Sequence, residues 1–115
     1  MAFIYHITPL RDWQAAQAAG AYTADSLERE GFIHCSTAEQ VADTANRYYA
    51  GQAGLALLRI RVEALRAEVR YENLVGGEML FPHIYGPLNL DAVESAADFP
   101  PGADGRFSLP ETGFS

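Results

Sequence analysis

Residues 31–37, GFIHCST, have the alternating pattern of a β-strand. Side chains alternate across a strand, so Phe32, His34 and Ser36 are predicted on one face, with Cys35 on the other. An imidazole and a hydroxyl on one face of an apolar strand indicate a polar site. Cys35 is then best interpreted as a small apolar side chain that fills the core behind that site.

The elements around this strand follow from hydrophobic periodicity and from turn residues. Helices come early and strands late, and a loop with unusual backbone angles is expected at residues 73–83. The predicted helices lie at 10–19 and 26–30 and after residue 37, and the other predicted strands at 2–7, 55–62, 67–72, 83–88 and 90–96. This order predicts an α+β fold in which two main helices pack on a mixed, mostly antiparallel sheet.

Start signals mark both main helices. Thr8 and Pro9 are predicted as the cap and the first residue of the first helix, which ends at Gly20. The second helix has two capping-box options, Thr37 with Gln40 or Ser36 with Glu39. Its predicted apolar stripe comprises Val41, Ala45, Tyr48 and Tyr49, closed by Gly51.

Composition restricts the classes of function. The 115 residues carry a net charge of −7, with eight arginines and no lysine. Schiff-base chemistry is therefore excluded, and nucleic acid is an unlikely partner because phosphate binding requires basic surface. A single cysteine favours a cytoplasmic setting, and we expect no signal peptide and no membrane span. Residues 1–97 are expected to form one domain, followed by an irregular Pro/Gly-rich arm at 98–115.

The three histidines of the chain share one local pattern. Each lies in an apolar, strand-like segment two residues before a hydroxyl side chain, in the pairs His6 and Thr8, His34 and Ser36, and His83 and Tyr85. Two residues apart in a strand means the same face. We therefore expect the three pairs to converge on one polar cleft that binds a small molecule.

Other side chains are assigned roles in that cleft. His34, Glu72 and His83 are the predicted catalytic residues, with Glu72 as a base or an orienting carboxylate. Arg59 is predicted either to bind a ligand or to pair with Glu68 or Glu72. No metal ligands are assigned, although three histidines could serve a metal-dependent hydrolase as an alternative. Metal spacings such as HxH are absent from the sequence.

Three motifs, IYHIT, GFIHCST and FPHIYGPL, resemble those of a small bacterial family known as domain of unknown function 952. The resemblance extends to about Ala97. That family is grouped by fold with ADP-ribosyltransferase-like proteins. The resemblance therefore implies this fold, and NAD or an ADP-ribose-like nucleotide as the candidate cofactor or ligand.

The wider resemblance also implies roles for residues. His6 would hold a ribose hydroxyl, Tyr22 or Tyr85 would stack on a ligand ring, and Glu72 would stabilise charge on the ribose. Ile7 stands where the polymerase-type enzymes carry glycine, and Phe32 where the 2′-phosphotransferases carry a first histidine. Two alternatives follow: an ADP-ribosyl transferase, or a ligand-binding or regulatory domain without catalysis.

Overall fold

A computed structural model describes residues 2–74 and 76–108 of the chain. Its helices are α1 (Leu10–Ala19), α2 (Asp25–Glu30) and α3 (Val41–Tyr48). Its strands are β1 (Phe3–Pro9), β2 (Ala21–Tyr22), β3 (Ile33–His34), β4 (Leu55–Arg61), β5 (Glu68–Glu72), β6 (Phe81–Tyr85), β7 (Leu88–Asn89) and β8 (Val93–Asp98). Short 3-10 turns precede β5 and β8 at Val62–Ala64 and Leu90–Ala92. The α+β class is therefore confirmed.

The strands form three sheets, and every strand pair of the described residues is antiparallel. The β4 sheet has the order β1-β4-β8, the β6 sheet has the order β3-β6-β5, and β2 pairs with β7. The aliphatic β4 is central, as its sequence predicts. The small β2–β7 pair was not predicted.

Residues 31–37 do not form one continuous strand, which corrects the prediction. Ile33 and His34 pair with β6, but Ser36 pairs with Tyr5 of β1 through two backbone hydrogen bonds of 2.7 and 2.8 Å. The segment thus leaves one sheet and joins the next within two residues. It therefore connects the β4 sheet to the β6 sheet through backbone hydrogen bonds.

Two apolar clusters lie on opposite faces of the β4 sheet, as the alternation of β1 and β4 requires. One cluster includes Ile4 and Leu58, and the other includes Ile7 and Leu57. On the first side the sheet meets α1 and the inner residues of the β6 sheet, including Ile84. Cys35 is buried in this first cluster, in agreement with its interpretation as a core residue.

The second cluster is covered by α3 and by chain that follows β8. Val41 and Ala45 of α3 are fully buried there, together with Phe99 and Phe107. Residues 99–108 contain no helix or strand. Asn46 nevertheless fixes Phe107: its Oδ1 accepts from the Phe107 N–H at 2.7 Å, and its Nδ2 donates to the Phe107 carbonyl at 3.1 Å.

The predicted start of α1 requires a correction. Thr8 is buried inside β1 rather than acting as the cap, and Pro9 is the extended residue just before the helix. Strand pairing continues to Pro9, opposite Leu55, and the Leu10 N–H donates to the Gly54 carbonyl at 2.8 Å. The neighbouring chain therefore satisfies a helix donor that a threonine cap would otherwise serve.

The start of α3 uses one half of the predicted capping box. Gln40 Oε1 accepts from the Thr37 N–H at 3.0 Å, and Gln40 itself is the residue at the N-cap of α3. At the other end Tyr48 is 67% exposed, so it is not part of a buried stripe. Tyr49 packs on the second cluster instead, because the backbone leaves the helical conformation there, at φ −126°.

The loop between β5 and β6 is shorter than predicted, because β6 already begins at Phe81. Gly76 has φ +89°, the unusual backbone angle expected of this loop. The last strand also begins later than predicted, at Val93. No helix among the described residues has the length and apolar character needed to cross a membrane.

Candidate functional site

The β6 sheet has one apolar face and one polar face. Ile33, Ile84 and Val69 are cross-strand neighbours that point into the first core cluster. The neighbouring positions in each strand therefore point outward. We call this outer surface the histidine face, and it comprises Phe32, His34, Glu68, Arg70, Glu72, His83 and Tyr85, with Glu30 of α2 at its edge.

His83 is held by a carboxylate of the adjacent strand. Its Nδ1 lies 2.9 Å from Glu72 Oε1, and the Tyr85 hydroxyl donates to the same oxygen. A carboxylate only accepts, so Nδ1 carries a proton and neutral His83 presents Nε2 as an acceptor. The hydrogen bonds from Tyr85 and His83 hold the pKa of the Glu72 carboxyl below its usual range. Glu72 therefore carries a negative charge at neutral pH.

His34 lies directly opposite His83 in the register of β3 and β6. The two ring centroids are 5.4 Å apart and the rings are nearly perpendicular. His34 also has a glutamate partner, because its Nε2 lies 2.7 Å from Glu30 Oε2. The His34 side chain is 55% exposed whereas the His83 side chain is 7% exposed, so His34 is the outer of the two rings.

The Phe32 ring contacts both imidazoles of the histidine face. It stacks on His83 at a centroid distance of 4.2 Å and meets the edge of His34 at 4.8 Å. Phe32 is 6% exposed. The arrangement leaves each imidazole with an aromatic neighbour and a carboxylate partner, which fixes the orientation of both rings.

Arg70 completes the histidine face. Its guanidinium lies 4.5 Å from the centre of the Tyr85 ring and makes two hydrogen bonds to Glu68, of 2.8 and 3.2 Å. This pairing lowers the pKa of the Glu68 carboxyl. Carboxylates thus outnumber the single guanidinium on this face, which favours ligands that present hydroxyl, amide or cationic groups.

His6 lies apart from the histidine face. It is 7% exposed, its Nδ1 lies 2.6 Å from the His34 carbonyl oxygen, and its Nε2 lies 2.8 Å from the Tyr22 hydroxyl. Burial lowers the pKa of His6 to about 4, so the ring is neutral near pH 7. The prediction that three imidazoles converge is therefore wrong for His6. Alternation along β1 and the pairing of Tyr5 with Ser36 place the His6 ring behind the β3 backbone.

Hydrogen-bond chemistry fixes the protons of this buried group. The carbonyl only accepts, so His6 Nδ1 carries the proton and Nε2 accepts from the Tyr22 hydroxyl. The Tyr22 oxygen also lies 2.9 Å from Thr8 Oγ1, which makes the Thr8 hydroxyl the third member of this buried group. Desolvation raises the pKa of Tyr22 to about 12, and the hydrogen bond with Thr8 opposes part of that shift.

The remaining predicted site residues also lie away from the histidine face. Thr8 and Tyr22 are buried around His6, and the Ser36 hydroxyl lies 3.3 Å from Thr44 of α3. Arg59 belongs to the β4 sheet, where it lies 3.4 Å from Glu94 and 3.8 Å from the centre of the Phe3 ring. Arg59 thus has Glu94 as a carboxylate partner, where the sequence had left open a ligand contact or a pair with Glu68 or Glu72.

Two of the three predicted imidazole–hydroxyl pairs are joined, each through a third side chain. Glu72 joins His83 to Tyr85, and Tyr22 joins His6 to Thr8. The alternative of a metal-dependent hydrolase requires the three imidazoles to lie together as ligands of one ion. They do not lie together. In the part of the chain that the structure describes, no group of three or more metal-ligating side chains is arranged to hold an ion.

The sequence predicted Phe32 on the face of His34 but gave it no role in the site, and Glu30 and Arg70 were missed. Arg70 shares the strand parity of Glu72, so alternation could have located it. Glu30 precedes His34 by four residues, across the end of α2. No sequence signal locates that contact, because it depends on how the helix turns into β3.

Two shallow depressions lie outside the histidine face. One, of about 190 Å³, lies between α1 and β8 and includes Trp13, Gln14 and Asp98. The other, of about 320 Å³, is formed by residues 23–28 around the start of α2. Neither is lined by an imidazole, so the candidate site is placed by its chemistry and not by either depression.

Comparisons with known proteins agree with the resemblance in the motifs. The crystal structure of protein CC0527 from Caulobacter crescentus matches with a TM-score of 0.84 and 38% identity, covering 94% of this chain and 95% of that chain. The solution NMR structure of CC0527 matches with a TM-score of 0.83 and 38% identity, covering 95% and 94%. Among curated proteins, none matched. A family model described as "Protein of unknown function (DUF952)" matches residues 7–96, so the chain belongs to that family.

Proposed function

We propose that the histidine face binds a small-molecule ligand. One observation carries this proposal: two imidazoles from adjacent strands, each held by its own glutamate, lie 5.4 Å apart, with the His34 ring exposed and the His83 ring 7% exposed behind it. A fold gains little stability from an exposed polar contact such as that of Glu30 and His34. Stability therefore does not explain why so many polar groups lie on one face of the sheet, whereas ligand binding does.

The chemistry of the face suits proton transfer. His83 presents Nε2 as an acceptor, and the ionised Glu72 stabilises the imidazolium that forms when Nε2 takes a proton. Glu72 uses Oε1 for both described hydrogen bonds, which leaves Oε2 for a ligand donor. We assign His83 and Glu72 as the catalytic pair and His34 as the residue that meets the ligand first.

We propose a nucleotide-type ligand, with NAD or ADP-ribose as the candidates. Support comes from the motif resemblance to ADP-ribosyltransferase-like proteins, a fold grouping that we extend to this chain as part of the proposal. Tyr85 offers an aromatic ring, and Glu72 offers a negative charge beside which a ribosyl cation is stabilised during transfer. The buried His6, Thr8, Tyr22 and Ser36 then support the strands instead of touching the ligand, and Arg59 stabilises the β4 sheet.

The same proposal includes a cellular setting and a type of partner. The single thiol, buried at Cys35, is compatible with a reducing cytoplasm. The charge of this face argues against nucleic acid as the partner, because a phosphate backbone is bound through several basic contacts, whereas the face has one guanidinium, Arg70, which already pairs with Glu68. A small molecule remains the partner that we propose.

A second candidate function is ligand binding without catalysis. The 55% exposure of the His34 side chain supports it, because an open face does not exclude water from a reactive intermediate. The two candidates differ in one measurable product. An ADP-ribosyl transferase or NAD hydrolase releases nicotinamide from NAD, whereas a binding domain returns NAD intact.

Thermal shift with NAD and ADP-ribose tests the proposed site. A ligand that binds the native state raises Tm by mass action. We expect a shift for the wild type, no shift for His34→Ala, and a wild-type shift for the control Gln14→Ala in the α1 depression. Equal shifts in His34→Ala and wild type, or no shift with either ligand in wild type, would reject the proposal.

A further inference from the structure

The β3 strand that carries His34 has few backbone hydrogen bonds of its own. It is two residues long, and its pairing with β6 ends where the Cys35 N–H donates to the Pro82 carbonyl at 3.0 Å. On its other side, the next backbone contact with β1 is at Ser36. The His34 carbonyl belongs to the same peptide group as the Cys35 N–H, and it accepts from β1 rather than from β6.

An imidazole takes the place of a backbone donor at this point. His6 Nδ1 donates to the His34 carbonyl at 2.6 Å, across the gap between β1 and β3. The His6 ring is fixed at its other nitrogen by Tyr22, which is 4% exposed and is itself hydrogen-bonded to Thr8. A buried chain of hydrogen bonds therefore ends on the backbone of the residue whose side chain stands on the histidine face.

We propose that His6 is a positioning residue for His34. By holding the His34 carbonyl, it sets the orientation of the backbone at that residue and thereby holds the His34 ring against His83. The effect of this arrangement on ligand binding rests on the proposed function, but the arrangement itself does not. It can be measured in the free protein.

Two amide variants separate the two nitrogens of His6. The amide nitrogen of His6→Asn occupies the place of Nδ1 and can still donate to the His34 carbonyl. The amide nitrogen of His6→Gln reaches the place of Nε2, so His6→Gln loses the bond to the carbonyl. Both variants remove the imidazole, and they differ mainly in whether the hydrogen bond to the His34 carbonyl is kept.

NMR on histidine-labelled protein tests the inference without a ligand. We expect nuclear Overhauser contacts between the His34 and His83 rings in wild type and in His6→Asn, and their loss in folded His6→Gln. A residue that only stabilises the fold would lower Tm in both variants and leave the ring contacts unchanged. Retained ring contacts in folded His6→Gln would overturn the proposal.

A measurement on the wild type covers the case in which His6→Gln does not fold. Nitrogen shifts of His6 should show a proton on Nδ1 and none on Nε2, with a scalar coupling from Nδ1 to the His34 carbonyl carbon across the hydrogen bond. The opposite tautomer, or the absence of that coupling, would overturn the proposal on its own.

Discussion

Burial of a neutral His6 makes the stability of this protein depend on pH in a defined window. Desolvation lowers the pKa of His6 from 6.5 to about 4 in the folded chain. Between these two values the unfolded chain binds a proton that the folded chain does not, so stability falls as pH falls. Each pKa unit corresponds to 1.36 kcal/mol, so the full contribution is about 3 kcal/mol.

The experiment compares wild type with His6→Asn, which lacks a titrating group at this position. Between pH 7.5 and pH 5, the His6 linkage alone removes roughly 2 kcal/mol from the free energy of unfolding of the wild type. Urea denaturation at half-unit pH intervals measures this quantity. All other titrating groups are shared, so the difference between the two proteins isolates His6.

We expect the stability advantage of wild type over His6→Asn to shrink by that amount on going from pH 7.5 to pH 5. A constant difference across the window would refute the reasoning, because it would mean that His6 titrates alike in the folded and unfolded chains. A difference that grows toward low pH would indicate that the folded chain favours the imidazolium.

Three further predictions concern other parts of the molecule. Burial raises the pKa of the Cys35 thiol, so we expect a thiol reagent to modify native protein far more slowly than urea-unfolded protein, and equal rates would contradict this. A Cβ at Gly86 would lie 2.8 Å from Ala67 Cβ, so Gly86→Ala should cost about 1–3 kcal/mol in urea denaturation, and Ala67→Gly should recover part of it. Phe99 is 1% exposed beside Phe107, so Phe99→Ala should cost about 3–5 kcal/mol, whereas a loss below ~1 kcal/mol would show that residues 99–108 add little to the core.

The sequence predicted correctly those features of the fold that depend on residues within a single helix, strand or hairpin. The bounds of α1 follow from Pro9 and Gly20, and the central place of β4 follows from its aliphatic run. Alternation in β5 and β6 also brings Glu72, His83 and Tyr85 to one face. These predictions succeed because each depends on one strand or on one hairpin.

The position of His6 could not be predicted in the same way. Alternation shows which side chains share a face of one strand, but not which faces of distant strands meet. That depends on the two backbone hydrogen bonds between Tyr5 and Ser36, which turn the face of β1 that carries His6 toward the back of β3. The burial of Tyr22 follows from its pairing with Leu88, a contact between residues far apart in the sequence.

NMR titration of uniformly isotope-labelled protein with NAD and with ADP-ribose tests the central claim most directly. If the histidine face is the ligand site, the ring signals of His34 and His83 move and saturate with added ligand, while the proton on His6 stays on Nδ1. Saturable binding that moves the signals of Trp13 and Gln14, and leaves both rings unchanged, would contradict the account.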